Sequence, residues 1–386
     1  MPKKIYLDYA ATTPIDPRVI RKMTPFLKEK FGNTMSLHSF GQEAKQALEE
    51  SRQAVADLIK AKANEIIFTS SATESNNLAL KGVAFLKKEK RNHIIISSIE
   101  HPSIMESAKW LETQGFEVTR LKVDKYGLVN PEDLKKAIKK ETILVSVMHA
   151  NNEIGTIEPI EEIGKICKEK GIYFHTDAAQ TFGKIPIDVN KMNIDLMTMS
   201  SHKMYGPKGV GALYIRDGVK ITPLLHGGGH ELGLRSSTVN VAGIVGFAQA
   251  CKICKKEMKK TTKRLRKLRD KLIKGILSKI PHSYLNGHPK KRLPNNANFS
   301  FEFVEGESIV MQLDLLGIAA STGSACATAK LEPSHVLLAI GLKPQKAHSS
   351  LRLSLGCWTK EKEIDYVLKV LPGVVKKLRK ISPFKV

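Results

Sequence analysis

Residues 200–209 read Ser-Ser-His-Lys-Met-Tyr-Gly-Pro-Lys-Gly and follow an apolar run, Ile194 to Met199, that predicts a buried strand. Lys203 therefore lies just beyond a strand end, beside His202 and ahead of a stiff Gly-Pro turn. Most surface lysines have flexible, solvated side chains, whereas an immobilised lysine can lose its proton and act as an amine nucleophile. The stretch therefore predicts a reactive amine at the end of a strand.

Short apolar runs alternate with helical patterns on both sides of this stretch. Runs of this kind between helices are typical of a mostly parallel sheet that is covered on both faces. We therefore expect the α/β fold class. The predicted strands are Ile66 to Thr69, His93 to Ser97, Phe116 to Val123, Ile143 to Met148, Ile172 to His175, Leu196 to Met199 and Val210 to Ile215.

The length of 386 residues favours two domains, because one compact core seldom grows that large. The pattern changes after Pro281, where two strands and two helices predict a smaller α+β unit. We expect a large domain at 15–258 and a small domain formed by 1–14 and 259–386, with the boundary inside a helix near 255–265. Residues 1–20 are expected to be irregular.

Basic residues give the chain a formal net charge of +24 and are concentrated in one predicted helix, 255–274. Leucines at helical spacing indicate that this helix is amphipathic, with a basic outer face. Such a face is either simply solvated or a docking surface for tRNA or an acidic protein.

The five cysteines do not form a disulfide pattern, and their odd number fits a reducing compartment. Cys251 and Cys254 form a C-x-x-C pair on a lysine-rich helix, which suggests either two helix-face thiols or a zinc or redox pair. We expect no resident metal. Apolar runs are too short to span a bilayer and the start of the chain is unlike a signal peptide, so we expect a cytoplasmic protein without membrane contact.

Polar groups follow most of the predicted parallel strands, at the edge where α/β sheets bind ligands. Each group alone is typical of a helix cap or a structural residue. Together, a small-residue helix start, a histidine, an amide, an aspartate and a fixed lysine match the needs of pyridoxal phosphate. No Gly-x-Gly-x-x-Gly turn follows the first strand and no P-loop is present. The groups are Thr69 to Asn77, Glu100 to Pro102, His149 to Glu153, His175 to Gln180 and Ser200 to Lys203.

These motifs and several others occur in an order that resembles the class V aminotransferase fold, specifically cysteine desulfurases of the NifS/IscS type. The resemblance covers nearly the whole chain. It implies a fold-type I transferase that depends on pyridoxal phosphate and forms a homodimer. The further motifs are Tyr6 to Asp8 with Ala11 to Pro14, Met148 to Thr156, Gly227 to Glu231, Arg235 to Asn240, Gly323 to Cys326 and Ser349 to Gly356.

The resemblance also implies a role for each matching residue. Lys203 would form the Schiff base, His101 would stack on the cofactor ring and assist proton transfer, and Cys326 would receive sulfur. The expected cofactor contacts are Asp177 at the pyridine nitrogen, Gln180 at the ring oxygen, Asn152, a phosphate site of Ala72, Thr73, Ser200 and His202, and Thr238 from the other subunit. Arg352 and Asn33 would bind the substrate carboxylate.

The expected reaction removes sulfur from L-cysteine, giving L-alanine and a persulfide on Cys326. The sulfur would pass to an iron–sulfur scaffold or a tRNA-thiolation protein, and Cys326 would be a transient ligand of an iron–sulfur cluster. A selenocysteine lyase would share most site residues without depending on Cys326. A plain aminotransferase would release no sulfide, and a tRNA- or scaffold-binding protein would have a degenerate site.

Overall fold

The computed structural model describes residues 4–87, 91–323 and 332–383. Over these residues the strands are β1 Ile5–Tyr6, β2 Ile66–Thr69, β3 His93–Ser97, β4 Glu117–Leu121, β5 Thr142–Ser146, β6 Tyr173–Asp177, β7 Leu196–Ser200, β8 Gly211–Ile215, β9 Ser283–Asn286, β10 Asn296–Phe301, β11 Ile318–Ala319 and β12 Ser350–Ser354. The α-helices are α1 Pro17–Lys28, α2 Ser39–Ile59, α3 Ala72–Lys87, α4 Pro102–Thr113, α5 Pro131–Ala137, α6 Ile160–Lys170, α7 Val241–Lys279, α8 Gly306–Leu315, α9 His335–Ala339, α10 Pro344–His348 and α11 Glu361–Ile381.

The larger sheet has seven strands in the order β2-β8-β7-β6-β5-β3-β4. The pairs from β7 to β4 are all parallel, whereas β8 is antiparallel to both of its neighbours. Every residue of β3, β5 and β7 is buried, as expected for strands covered by helices on both faces. The prediction of a mostly parallel α/β sheet is confirmed.

A smaller antiparallel sheet, β12-β10-β9, and the parallel pair β1–β11 form the second part of the fold. Their apolar residues pack with α8, α11 and the C-terminal half of α7 in a separate core. The 39-residue helix α7 contributes Cys251 and Cys254 to the first core and Leu265 and Leu272 to the second. One continuous helix therefore connects the two cores.

The N-terminal residues are more ordered than the sequence predicts. The prediction of irregular structure for residues 1–20 is wrong in two places, because β1 pairs with β11 and α1 begins at Pro17. Asp16 caps α1 by accepting a hydrogen bond from the Arg18 backbone N–H, and proline at the first helical position costs no hydrogen bond. No helix in the three described ranges is long and apolar enough to cross a bilayer.

Candidate active site

Adjacent parallel strands bring Asp177 and Lys203 to the same edge of the large sheet. Asp177 ends β6 and pairs with Thr198 of β7, while Lys203 lies in the 3-10 turn Ser201–Lys203 that directly follows β7. Both residues therefore lie at the carboxyl edge of the sheet, where the sequence predicts them.

The Asp177 carboxylate is buried and held only by neutral donors within the described residues. Asn76 donates from Nδ2 to Oδ2 at 2.8 Å, and the Ala179 backbone N–H donates to Oδ1 at 2.9 Å. Only 5% of Asp177 is exposed, and no described lysine, arginine or histidine forms an ion pair with it. A buried carboxylate is costly without a positive or strongly donating partner, so this group is suited to a ligand that supplies one.

His101 precedes α4 and caps it through its own ring. The Ser103 backbone N–H donates to Nδ1 at 3.2 Å, and the Ser103 hydroxyl contacts the same nitrogen at 2.8 Å. A backbone N–H can only donate, so the proton of the neutral ring lies on Nε2. Burial lowers the pKa of His101. The negative charge of Asp177 raises this pKa in part, and the positive charge of Lys203 lowers it further.

The amine of Lys203 is held by the N-terminal segment rather than by His202. Its Nζ donates to the carbonyl oxygens of Ala10 at 2.8 Å and Ala11 at 2.6 Å. His202 instead contacts the Thr12 hydroxyl through Nδ1 at 3.0 Å. The sequence correctly predicts a fixed lysine, but its fixing partners lie about 190 residues earlier in the chain.

Gln180 shares the Ala10 carbonyl with Lys203 and also contacts a second lysine. Gln180 donates from Nε2 to the Ala10 carbonyl at 2.9 Å and accepts from Lys184 Nζ at 3.2 Å. These two contacts fix the orientation of its amide. In the reverse orientation the amide nitrogen would face the Lys184 amine and the amide oxygen would face the Ala10 carbonyl oxygen. Desolvation lowers the pKa of Lys184 to about 7, and the positive charge of Lys203 contributes.

The start of α3 supplies free backbone donors beside the sheet edge. Ala72 and Thr73 are its first residues, so their N–H groups have no acceptor within the helix. Gly211 of β8 passes so close that a Cβ there would lie 2.7 Å from the carbonyl carbon of Ser71. Ser200, at the end of β7, is buried and pairs with Gly211. These groups form a setting suited to an anion.

Arg352 on β12 is almost fully buried, with 1% of its surface exposed. It donates from Nη1 to the carbonyl oxygen of Asn152 at 3.0 Å and from Nη2 to Asp8 Oδ1 at 2.9 Å. Its Nε has no hydrogen-bond partner in the described structure. The buried Nε–H is therefore a donor without an acceptor among the described residues, and it suits a ligand carboxylate.

Two residues predicted for the site lie on the surface of the single chain. Asn33 is exposed, and its side-chain oxygen accepts a hydrogen bond from the Met35 backbone N–H at 2.9 Å. Thr238 is exposed in the segment that leads into α7. Neither has a described contact with Arg352 or Lys203, so their roles stay predictions.

Cys326 lies outside the described residues. The described chain leading towards it is attached to the site, since Ser321 and Arg352 form an antiparallel bridge through two backbone hydrogen bonds of 3.3 Å and 2.6 Å. Ser321, a described residue five positions before Cys326, therefore lies beside Arg352.

Sequence reasoning missed Asn76, Ser103 and Asp8 as site residues. Asn76 lies in the Thr69 to Asn77 stretch but was expected only as part of a helix start. The spacing of the sequence gives no indication that its amide contacts Asp177, 101 residues away. Asp8 belongs to a quoted motif, yet its partner Arg352 is 344 residues distant.

Comparison with known proteins identifies the family. The family model described as Aminotransferase class-V matches residues 5–367. The chain belongs to the aminotransferase class-V family. Among curated relatives, the cysteine desulfurase IscS of Dictyoglomus turgidum is 55% identical over 385 residues, covering 100% of this chain and 98% of the relative. The cysteine desulfurase IscS of Methanosarcina thermophila is 54% identical over 381 residues, covering 99% of this chain and 94% of the relative.

Solved structures of similar proteins agree with the described fold. A NifS-like protein is 41% identical with a TM-score of 0.92, covering 97% of this chain and 100% of its own. SspA, solved in complex with cysteine, is 38% identical with a TM-score of 0.82, covering 93% of this chain and 100% of its own.

Proposed function

We propose that the protein is a cysteine desulfurase that uses pyridoxal phosphate to convert L-cysteine to L-alanine and a persulfide on Cys326. The observation that carries the proposal is the convergence of Lys203, Asp177 and His101 at one edge of the sheet. Full-length similarity to curated cysteine desulfurases supports this reaction over others of the same fold.

The donor set of the site fits the cofactor. Asp177, buried without an ionic partner among the described residues, suits a protonated pyridine nitrogen. The N–H groups of Ala72 and Thr73, with Ser200 and His202, would hold the phosphate. Lys203 would bind the cofactor through its amine, while Gln180 and Asn152 would contact it. When bound, pyridoxal phosphate withdraws electrons from the substrate and so eases loss of its α-proton and weakening of its C–S bond.

The remaining residues orient the substrate and move protons. Arg352 would bind the α-carboxylate with Asn33, because its Nε is buried without a described partner. His101 is neutral near pH 7, since burial lowers its pKa, and Nε2 is the nitrogen left to exchange a proton with a ligand. Its ring would stack against the cofactor.

Cys326 determines which reaction occurs. Its thiolate would attack the sulfur of the bound L-cysteine, forming an S–S bond as the substrate C–S bond breaks. The carbon fragment gains protons to become alanine, and the persulfide retains the sulfur, so no outside oxidant is needed. Transfer to an iron–sulfur scaffold or a tRNA-thiolation protein would complete the cycle, with Cys326 as a transient cluster ligand.

A homodimer is part of the proposal. Large apolar side chains from α1 to the start of α2 are between 50% and 89% exposed in the single chain, which favours burial against a partner. Thr238 would then reach the phosphate of the other subunit. The exposed apolar residues are Ile20, Leu27, Phe31, Met35, Leu37 and Phe40.

The domain division at 15–258, with 1–14 and 259–386 as the small domain, is supported by two of the apolar clusters, one drawn from residues 19–254 and the other from residues 5–7 and 265–375. Exposed lysines on the outer face of α7, including Lys259 and Lys260, support a docking surface for tRNA or an acidic acceptor protein. We also propose a cytoplasmic location, in keeping with the unpaired thiols Cys167, Cys251 and Cys254.

The test is turnover of L-cysteine by the purified protein with pyridoxal phosphate and a reductant. Sulfide and alanine should appear in equal amounts. Conversion of L-cysteine to its keto acid without sulfide, in a reaction that needs a keto-acid acceptor, would identify a plain aminotransferase instead. Parallel assays with selenocysteine on wild type and Cys326→Ala separate a selenocysteine lyase, because such an enzyme would not depend on this thiol.

A further inference from the structure

Asn76 connects two residues of the proposed site through a chain of hydrogen bonds that is buried at its Asp177 end and part-buried towards His101. Both hydrogens of its Nδ2 are used, one towards Asp177 Oδ2 and one towards the Ser103 hydroxyl, each at 2.8 Å. Because that hydroxyl accepts from Asn76, its own hydrogen is free to donate to His101 Nδ1, at 2.8 Å. The chain therefore runs from Asp177 through Asn76 and Ser103 to His101.

The orientation of the Asn76 amide is fixed by these partners. Asn76 is 0% exposed, and turning the amide over would set its oxygen against the Asp177 carboxylate. Its Oδ1 has no hydrogen-bond partner in the described residues. A buried polar atom without a partner costs stability. That cost indicates that the two hydrogen bonds donated by Asn76 have a role at the site.

We propose that Asn76 is a positioning residue that holds the Asp177 carboxylate and, through Ser103, the ring of His101 in one fixed arrangement. The inference rests on the proposed function, in which Asp177 and His101 contact the cofactor. Asn76 itself acts through these two residues. Glu100 and His175 are further titratable groups that the charge of Asp177 affects.

Asn77 provides a matched control on the same helix. Its side chain donates to the Thr73 carbonyl and accepts from Ser107, so it contacts neither Asp177 nor His101. Asn76→Leu should weaken the affinity for pyridoxal phosphate on the order of 10- to 100-fold, as for loss of a hydrogen bond to a carboxylate. Asn77→Leu should change it by no more than about twofold.

Asn76→Asp distinguishes a positioning role from a merely structural one, because only the positioning role predicts an effect that depends on pH. When protonated, this aspartic acid can donate to Asp177 as the amide does, but when ionised it repels Asp177. The ratio of its affinity for pyridoxal phosphate to that of wild type should therefore approach one at about pH 5.5. At about pH 8.5 the ratio should fall to the value for Asn76→Leu. This variant also tests the proposal if Asn76→Leu fails to fold.

Ser103→Ala tests the branch to His101 separately. It removes the hydroxyl that donates to Nδ1 and leaves the Asn76 contact with Asp177 in place. The affinity for pyridoxal phosphate should stay within about twofold of wild type. The acid limb of the pH profile of turnover should move to higher pH, because a lost donor to the lone pair makes the ring more basic.

The experiment is equilibrium dialysis of the purified full-length protein and its variants against pyridoxal phosphate at both pH values. An Asn76→Leu affinity no weaker than that of Asn77→Leu overturns the inference. So does an Asn76→Asp affinity whose ratio to wild type is the same at both pH values, and an unmoved acid limb in Ser103→Ala overturns the His101 branch. A wild-type protein that binds no pyridoxal phosphate overturns the proposed function itself.

Discussion

Glu231→Gln should destabilise the fold more than any ordinary surface substitution, because it breaks a buried ion pair. Glu231 accepts hydrogen bonds from Arg52 Nη1 and Nη2 at 2.7 Å and 2.9 Å, and from the Phe68 backbone N–H at 2.7 Å. The side chains of Arg52 and Glu231 are only 6% and 3% exposed. The amide of glutamine would turn an N–H₂ group towards one of these three donors and leave the buried guanidinium without its main counter-charge.

The loss in the free energy of unfolding should be about 3–5 kcal/mol, the range for a buried pair that loses one partner. Glu231 and Leu232 also have φ values of 49° and 58°, in the left-handed region that disfavours residues other than glycine. The ion pair holds this strained turn against β2, and the turn leads to the segment that contains Thr238. We therefore expect the substitution to loosen this segment as well.

Glu49→Gln is the matched control, since Glu49 contacts the same guanidinium at 3.2 Å but is 54% exposed. An exposed partner of this kind should contribute less than about 1 kcal/mol. Urea unfolding followed by circular dichroism gives both values. Equal losses in the two variants, or a Glu231→Gln loss below about 1 kcal/mol, would refute the reasoning from burial.

Three further outcomes follow from the described contacts. Arg352→Gln should raise KM for L-cysteine about 10- to 100-fold, because a charge-assisted contact to the carboxylate is lost, and an unchanged KM would argue against that role. Burial lowers the pKa of His149 and His175 to about 4, so these two side chains take up protons in the unfolded chain first and lower the free energy of unfolding from about pH 6.5 towards pH 4. The change in the free energy of unfolding over that interval should therefore differ between wild type and His149→Gln with His175→Gln, with more stability lost in wild type, and equal changes in urea unfolding would contradict this. Lys259→Glu with Lys260→Glu should weaken tRNA binding and reduce its salt dependence in a gel shift. If the wild-type protein binds no tRNA, the basic face of α7 is simply solvated.

The sheet and the position of Lys203 could be predicted from sequence because they depend on local signals. Apolar runs between helices define parallel strands, and the carboxyl-edge rule then brings Asp177 and Lys203 together. The resemblance to cysteine desulfurases supplied the individual roles, which spacing alone could not assign.

What the sequence did not reveal depends on contacts between distant parts of the chain. The carbonyls of Ala10 and Ala11 that hold Lys203, and the Asp8 carboxylate on Arg352, come from an N-terminal segment predicted to be irregular. The strand β1 has only two residues and so shows no periodicity in the sequence. It lies just before this segment in the chain and pairs with β11. The Asn76 contacts likewise appear only after α3, α4 and β6 have packed together.

The central claim is that Lys203 holds the substrate through the cofactor while Cys326 takes its sulfur. The most direct measurement compares wild type and Cys326→Ala, both loaded with pyridoxal phosphate, after one exposure to ³⁵S-labelled L-cysteine. Wild type should carry the label on the peptide that contains Cys326 until a reductant releases it as sulfide. Cys326→Ala should keep the cofactor absorbance but carry no label there and release no sulfide. Sulfide release by Cys326→Ala at the wild-type rate would contradict the account.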